Sequence, residues 1–173
     1  GYFDLGAEFG KALGKLSAFS ITTDVFIPET TDTARNGNFI WCFAHSSSAG
    51  YLFYSAKGQR YAITKTNYAG EEGLKARATM TPKLGRWFNL AVVMRPNGRV
   101  YLNINGSGAG VAKVSITPAD LNELVNNYLG RSCYAGDQPL KGAMYHNFKL
   151  WNYDISSKEL AAIRNDATRE AMN

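Results

Sequence analysis

The chain is built of short apolar-polar alternations cut off by turn residues, and this pattern constrains its fold more than any other feature. Phe19, Ile21, Thr23, Val25 and Ile27 alternate with Ser20, Thr22, Asp24 and Phe26, and Pro28 closes the run. A period of two places one residue set on each face of a strand. Leu74, Ala76, Ala78 and Met80 alternate with Lys75, Arg77 and Thr79 in the same way, which predicts a strand with one wet face. Phe39 to Ala44 is a continuous apolar run, the mark of a strand covered on both sides.

The turns join these segments into hairpins. Lys57-Gly58-Gln59 links Tyr51–Ala56 to Arg60–Thr64. Pro96-Asn97-Gly98 links Trp87–Met94 to Arg99–Asn105, and Asn105-Gly106 turns the chain into a third strand over Val111–Ile116. Helix signals are few. Thr117-Pro118-Ala119-Asp120 pairs a capping Thr with Pro and an early acid, which predicts a short helix through Val125. Ser156 and Glu159 have the spacing of a capping box, which predicts a C-terminal helix with Leu160 and Ile163 on one face. Many short strands and almost no helix point to an all-β sandwich or barrel.

Composition agrees. The 173 residues suit one domain, and aromatics at 13% with 17 glycines lean toward tightly turned β structure. No apolar run reaches the ~20 residues of a membrane span. The net charge of +5 rests on singly scattered Lys and Arg without aromatic interleaving, so solvated surface charge is expected and a nucleic-acid partner is not. Cys42 and Cys133 lack the partners of a zinc site; two buried thiols and one disulfide both fit them.

Four stretches of the chain share a further pattern. Tyr128-Leu129-Gly130-Arg131-Ser132 is followed by Gly136-Asp137, Gly142, Phe148-Lys149-Leu150-Trp151-Asn152 and Ile155-Ser156-Ser157-Lys158-Glu159-Leu160. Upstream stand Trp87-Phe88-Asn89-Leu90-Ala91-Val92-Val93, Val100-Tyr101-Leu102-Asn103-Ile104-Asn105-Gly106, and Phe19 to Ile27. In this order they resemble laminin G-like domains of the concanavalin A-like superfamily. The resemblance implies a two-sheet antiparallel jelly-roll sandwich, with a short helix and a C-terminal helix, over the single domain 1–173. It also implies a binding platform, since only some branches of that superfamily are enzymes. The family's acidic pair before the Phe148 position reads His146-Asn147 here, and Asp24 replaces an aromatic, which leaves a calcium site of the family without its acids.

Glycanases on this fold need two or three carboxylates two apart on one strand face. That spacing is absent, and Glu71-Glu72 sits in a Gly-flanked loop, as solvated charge would. His45 and His146 have no acidic neighbours in sequence, and no nucleophile elbow surrounds Ser46–Ser48. No catalytic residue, cofactor or metal site is therefore expected. Sugar binding needs less: an aromatic face and a few planar donors. Trp41, Tyr51 and Tyr54 offer aromatic surface, but Trp41 and Trp87 lie in apolar runs and are expected in the core. The candidate sugar contacts are the loop Asn67-Tyr68 and the hairpin residues Arg60 and Tyr61, with Tyr134 beside a Gly turn.

These readings lead to a non-catalytic carbohydrate-binding module of a secreted glycan-degrading enzyme, of the kind found in bacterial glycoside hydrolases. Its expected partners are an oligo- or polysaccharide and a neighbouring catalytic domain of the same chain, in a secreted, periplasmic or cell-surface setting. The start at Gly1 without Met and the polar tail fit a module excised from a longer chain. The alternative is a structural domain that packs against a glycosidase catalytic domain; a glycanase or lyase in its own right is the third reading.

Overall fold

The computed structural model describes residues 1–163. The polar tail, residues 164–173, lies outside them. Among the described residues, eleven strands are arranged in two antiparallel sheets. In chain order they are β1 (Phe3–Asp4), β2 (Phe19–Phe26), β3 (Phe39–Ala44), β4 (Tyr51–Ser55), β5 (Arg60–Thr64) and β6 (Glu72–Lys75). Then follow β7 (Trp87–Met94), β8 (Arg99–Ile104), β9 (Ser107–Lys113), β10 (Asn126–Leu129) and β11 (Met144–Trp151). The six-stranded sheet runs β1-β10-β3-β4-β5-β6, and the five-stranded sheet runs β11-β2-β7-β8-β9. The chain is a β-sandwich with the strand-rich jelly-roll architecture expected.

The alternation in each strand assigns its residues to faces. From β2, Phe19, Ile21 and Val25 enter the inter-sheet core; from β3 and β4, Trp41, Phe43, Leu52 and Tyr54 meet them from the other side. The opposite set of β3 and β4, Cys42, Ala44, Tyr51 and Phe53, forms a second buried cluster on the outer face. The apolar run Phe39–Ala44 is thus covered on both sides, as its composition predicted. Trp41 is fully buried, whereas Trp87 is half-buried against Phe26 at the end of the five-stranded sheet.

The turns behave as their residues require. Asn105 and Gly106 both have positive φ (51° and 75°), as a two-residue hairpin turn demands. At the C-terminus Glu159 N–H donates to Ser156 Oγ (3.2 Å) and Ser156 N–H to Glu159 Oε2 (3.3 Å), so the capping box forms and residues 157–163 are helical.

Three expectations are corrected, and one helix was not foreseen. The strand predicted over Val111–Ile116 runs instead over Ser107–Lys113, because the two-residue turn Asn105-Gly106 leads straight into it. The predicted strand through Met80 stops at Lys75, and Ala78–Met80 forms a single 3₁₀ turn after Ala76 N–H bonds Gln59 O and Arg77 N–H bonds Ala109 O. The helix predicted through Val125 is only the 3₁₀ turn Pro118–Asp120, because Leu121 is extended (ψ 156°). An unpredicted helix, α1 (Gly6–Leu13), lies against β10, where a Cβ on Gly10 would meet Leu124 O at 1.9 Å. Only glycine permits that approach.

Candidate functional site

The outer face of the six-stranded sheet carries an open groove of ≈ 950 Å³. Register builds its floor. Phe39, Ser55, Arg60 and Lys75 stand opposite one another across β3, β4, β5 and β6, and from the next row, Ala62, Phe53 and Cys42, only Phe53 reaches the groove. Phe39 and Phe53 stack with centroids 4.1 Å apart, giving the floor a rigid aromatic base. The walls are Asn36 and Gly37 on one side, Tyr68 and Glu71 on the other, and Tyr134 with Asp137 at the end.

Arg60 is held from two directions. Its guanidinium carbon lies 4.9 Å above the Phe53 ring centroid, and Nη1 donates to Glu71 Oε1 at 2.8 Å. Arg60 has five N–H donors, so others remain for a ligand. Glu71 Oε2 accepts from Tyr51 Oη at 2.6 Å. The Tyr134 hydroxyl lies 3.1 Å from that of Tyr51 and 3.0 Å from the Ser48 carbonyl. Burial, then the bonds to Glu71 and Tyr134, push the Tyr51 phenol well above its ordinary range, so it stays a neutral donor. Asp137 Oδ2 accepts from Ser132 Oγ at 2.7 Å, and Ser132 Oγ accepts from Tyr134 N–H at 3.0 Å, which ties the end wall together.

Beneath Tyr134, Cys42 and Cys133 share one buried cluster as free thiols. Burial, reinforced by the neighbouring Cys133, keeps the Cys42 thiol neutral.

The sugar contacts expected from sequence divide. Arg60, Tyr68 and Tyr134 line this one groove. Tyr68 keeps 74% of its surface exposed. Asn67 instead caps the 3₁₀ turn Tyr68–Gly70, its Oδ1 accepting from Ala69 N–H at 3.0 Å, and thereby sets the stance of Tyr68. Tyr61 is a correction. It is fully buried in the inter-sheet core near Trp41, where it can meet no ligand. The reason is pleat geometry: Arg60 and Tyr61 are adjacent on β5, so they point to opposite faces.

Sequence reasoning missed Phe53, named Tyr51 only as aromatic surface and read Glu71 as solvated charge. Glu71 is not free solvated charge but the partner of Arg60, brought there when the loop after β5 folds back. Its neighbour Glu72 accepts from Ser115 Oγ (2.6 Å) and Ser115 N–H (2.9 Å), which hold its carboxyl below the usual range. Among the described residues, no set of His, Cys, Asp and Glu could hold a metal ion, and no helix is long and apolar enough to cross a membrane.

The chain belongs to the laminin G-like family of the concanavalin A-like lectin/glucanases superfamily, whose family model matches residues 6–161. No curated protein sequence matches it. Among solved structures it is similar to the CBM40 of Ruminococcus gnavus IT-sialidase bound to α2,3 sialyllactose, at 16% identity and TM-score 0.71, covering 94% of this chain and 91% of that one. It is also similar to the binding domain of botulinum neurotoxin DC in complex with rat synaptotagmin II, at 13% identity and TM-score 0.64, covering 95% of this chain and 39% of that one. A third likeness is to a structure of botulinum neurotoxin type C described by its dependence on two ganglioside molecules, at 16% identity and TM-score 0.61, covering 86% of this chain and 35% of that one. The chain thus spans under two fifths of the length of the two neurotoxin structures. At such identities the likeness establishes the fold.

Proposed function

We propose that this chain is a non-catalytic carbohydrate-binding module, serving a secreted or cell-surface glycan-degrading enzyme whose catalytic domain is its neighbour. One observation carries the reading: one groove is lined both by Tyr68, its ring in solvent, and by an Arg60 guanidinium already fixed by Glu71 and Phe53. A sugar ring presents a C–H face and a rim of hydroxyls. The Tyr68 ring matches the first, and the spare Arg60 donors match the second. Because Arg60 is ordered before any ligand arrives, binding costs little side-chain entropy there.

The same contacts argue against hydrolysis in this groove. Glu71 has both oxygens engaged, one by a cation, so it is poorly placed to give a proton to a leaving group. The R. gnavus CBM40, a domain of similar fold bound to α2,3 sialyllactose, supports the reading of this sandwich as a glycan-holding one.

A glycan array on the purified chain tests the proposal, with arabinan, pectic, xylan and sialylated glycans included. Binding that calorimetry reproduces and Tyr68→Ala abolishes is the expected result. An array with no bound glycan overturns it in favour of the second reading, a domain that packs against a protein partner. That reading draws on the exposed aromatics Tyr2 and Phe3 at the β1 edge, where Arg131 lies 4.6 Å from the Tyr2 ring centroid and 4.7 Å from that of Tyr128.

A further inference from the structure

A second hollow adjoins the groove. Its volume is ≈ 830 Å³, and Thr30, Thr31, Asp32, Gln138 and Lys141 wall it. The two hollows share Ala34, Asn36 and Asp137, so a single ridge separates them. Their chemistry differs. The first has the aromatic surfaces of Phe53, Tyr68 and Tyr134; the second has no aromatic residue in its lining, where hydroxyl, amide and charged side chains outnumber the apolar Ala34 and Pro139.

The second hollow is also preorganised. Asn38 is fully buried and takes a positive φ of 54°. Its Nδ2 donates to the carbonyls of Asp32 (2.9 Å) and Arg35 (3.2 Å). Its Oδ1 accepts from Gln138 Nε2 at 3.0 Å, while its own N–H donates to Gln138 O at 2.9 Å. Gln138 N–H in turn donates to Asn36 O at 2.9 Å. The two facing walls are therefore one hydrogen-bonded unit, and a ligand that enters does not have to order them.

Resting on the glycan reading of the first hollow, we infer that both hollows bind one sugar chain, which runs from Tyr68 over the Asn36–Asp137 ridge to Lys141. The first hollow grips a ring by its apolar face. The second recognises the next rings through their hydroxyls alone. Each is of the size that encloses a small organic ligand, within roughly 300–1,000 Å³, so about one or two sugar rings fit in each. The ligand class is then an oligosaccharide or the interior of a polysaccharide, and a disaccharide fills only half of the site. One or two net hydrogen bonds in the second hollow give about tenfold tighter binding of a long chain than of a short one.

Calorimetry with the purified chain decides this, using di- and hexasaccharides of xylan, arabinan and galacturonan. For the sugar that binds, the hexasaccharide is expected to bind about tenfold tighter than the disaccharide. In the double variant Thr31→Ala/Lys141→Ala, which removes exposed or half-exposed side chains of the second hollow only, that ratio is expected to fall toward one. A ratio near one in the native chain overturns the inference and leaves the proposed function standing. A large ratio that the double variant leaves unchanged places the chain elsewhere and also overturns it. No binding of any of these sugars or of any arrayed glycan defeats the underlying reading itself.

Discussion

The two sheets finish their outer faces in opposite ways. On the five-stranded sheet, Ala91 and Val93 would meet solvent, but the chain returns over them. Ile155 N–H donates to Ser20 Oγ at 2.9 Å, Ser20 Oγ donates to Tyr153 O at 2.8 Å, and Ile155 and Leu160 close the face. On the six-stranded sheet the loops around Tyr68, Tyr134 and Asn36 rise at the rim and leave the floor row of Ser55 and Arg60 beneath an open hollow. Equivalent pleated surfaces thus become a stabilising seam in one case and an open groove in the other. What differs is whether the covering segment supplies apolar side chains or only walls. The comparison predicts that substitutions grade from large stability losses between the sheets, through moderate ones under the C-terminal cap, to negligible ones in the groove.

The largest loss is expected at Trp41→Ala. This side chain is fully buried between the sheets and stacks on Phe43 at 5.2 Å. Removing it should cost ~3–5 kcal/mol in urea melts. A loss under about 1 kcal/mol would mean that the inter-sheet core is not what holds the two faces apart.

Which parts of this were legible beforehand follows from the range of the forces involved. The alternation of Phe19 to Ile27 and the turn Asn97-Gly98 are local, and both produced the expected β2 and the β7–β8 hairpin. The capping box at Ser156 and Glu159 is equally local and formed. Helix α1 was not legible, since it has no capping side chain and its position depends on Gly10 meeting Leu124, over a hundred residues away. The site was half legible. Tyr68 stood out as an aromatic in a polar loop, and the strand period alone could have separated Arg60 from Tyr61. The Glu71 pairing had no sequence signal, because it arises from the fold-back of a loop.

The next effect lies under the cap. Leu160→Ala should cost ~2 kcal/mol, less than a core leucine, because the residue seals the edge of a small cluster with Ile155 and Val93. The same substitution should leave glycan binding intact, since the groove is on the other sheet. Weakened sugar binding in this variant would show that the two faces are coupled.

A smaller effect is expected at the seam between the sheets, where Ser115 donates to Glu72. These bonds lower the Glu72 pKa, so their contribution is present above the ordinary carboxylate range and is lost as pH falls through the lowered value. Water screens the exposed pair, which keeps the cost of Ser115→Ala under about 1 kcal/mol. The stability difference between native chain and variant should hold steady near neutral pH and shrink in acid. A difference that persists unchanged into strong acid would mean that the serine acts by packing rather than through the carboxylate.

The smallest stability change and the sharpest test of the comparison both fall on Tyr68→Ala. The ring is exposed and sits on a 3₁₀ turn whose cap comes from Asn67, so the turn survives without it. Surface substitutions of this kind stay within about 0.5 kcal/mol. Yet if the groove recognises a sugar by its apolar face, the same change removes the exposed part of the stacking surface, and binding should fall below detection in calorimetry. Tyr134 cannot substitute, because its hydroxyl is tied to Ser48 and Tyr51 and its ring packs edge-on to Tyr51 at 5.5 Å. A native-like melt with binding lost would separate recognition from stability at one residue. A melt lowered by 2 kcal/mol or more would mean that Tyr68 packs as part of the fold, and that the six-stranded face is a seam like its counterpart rather than a surface left open for a ligand.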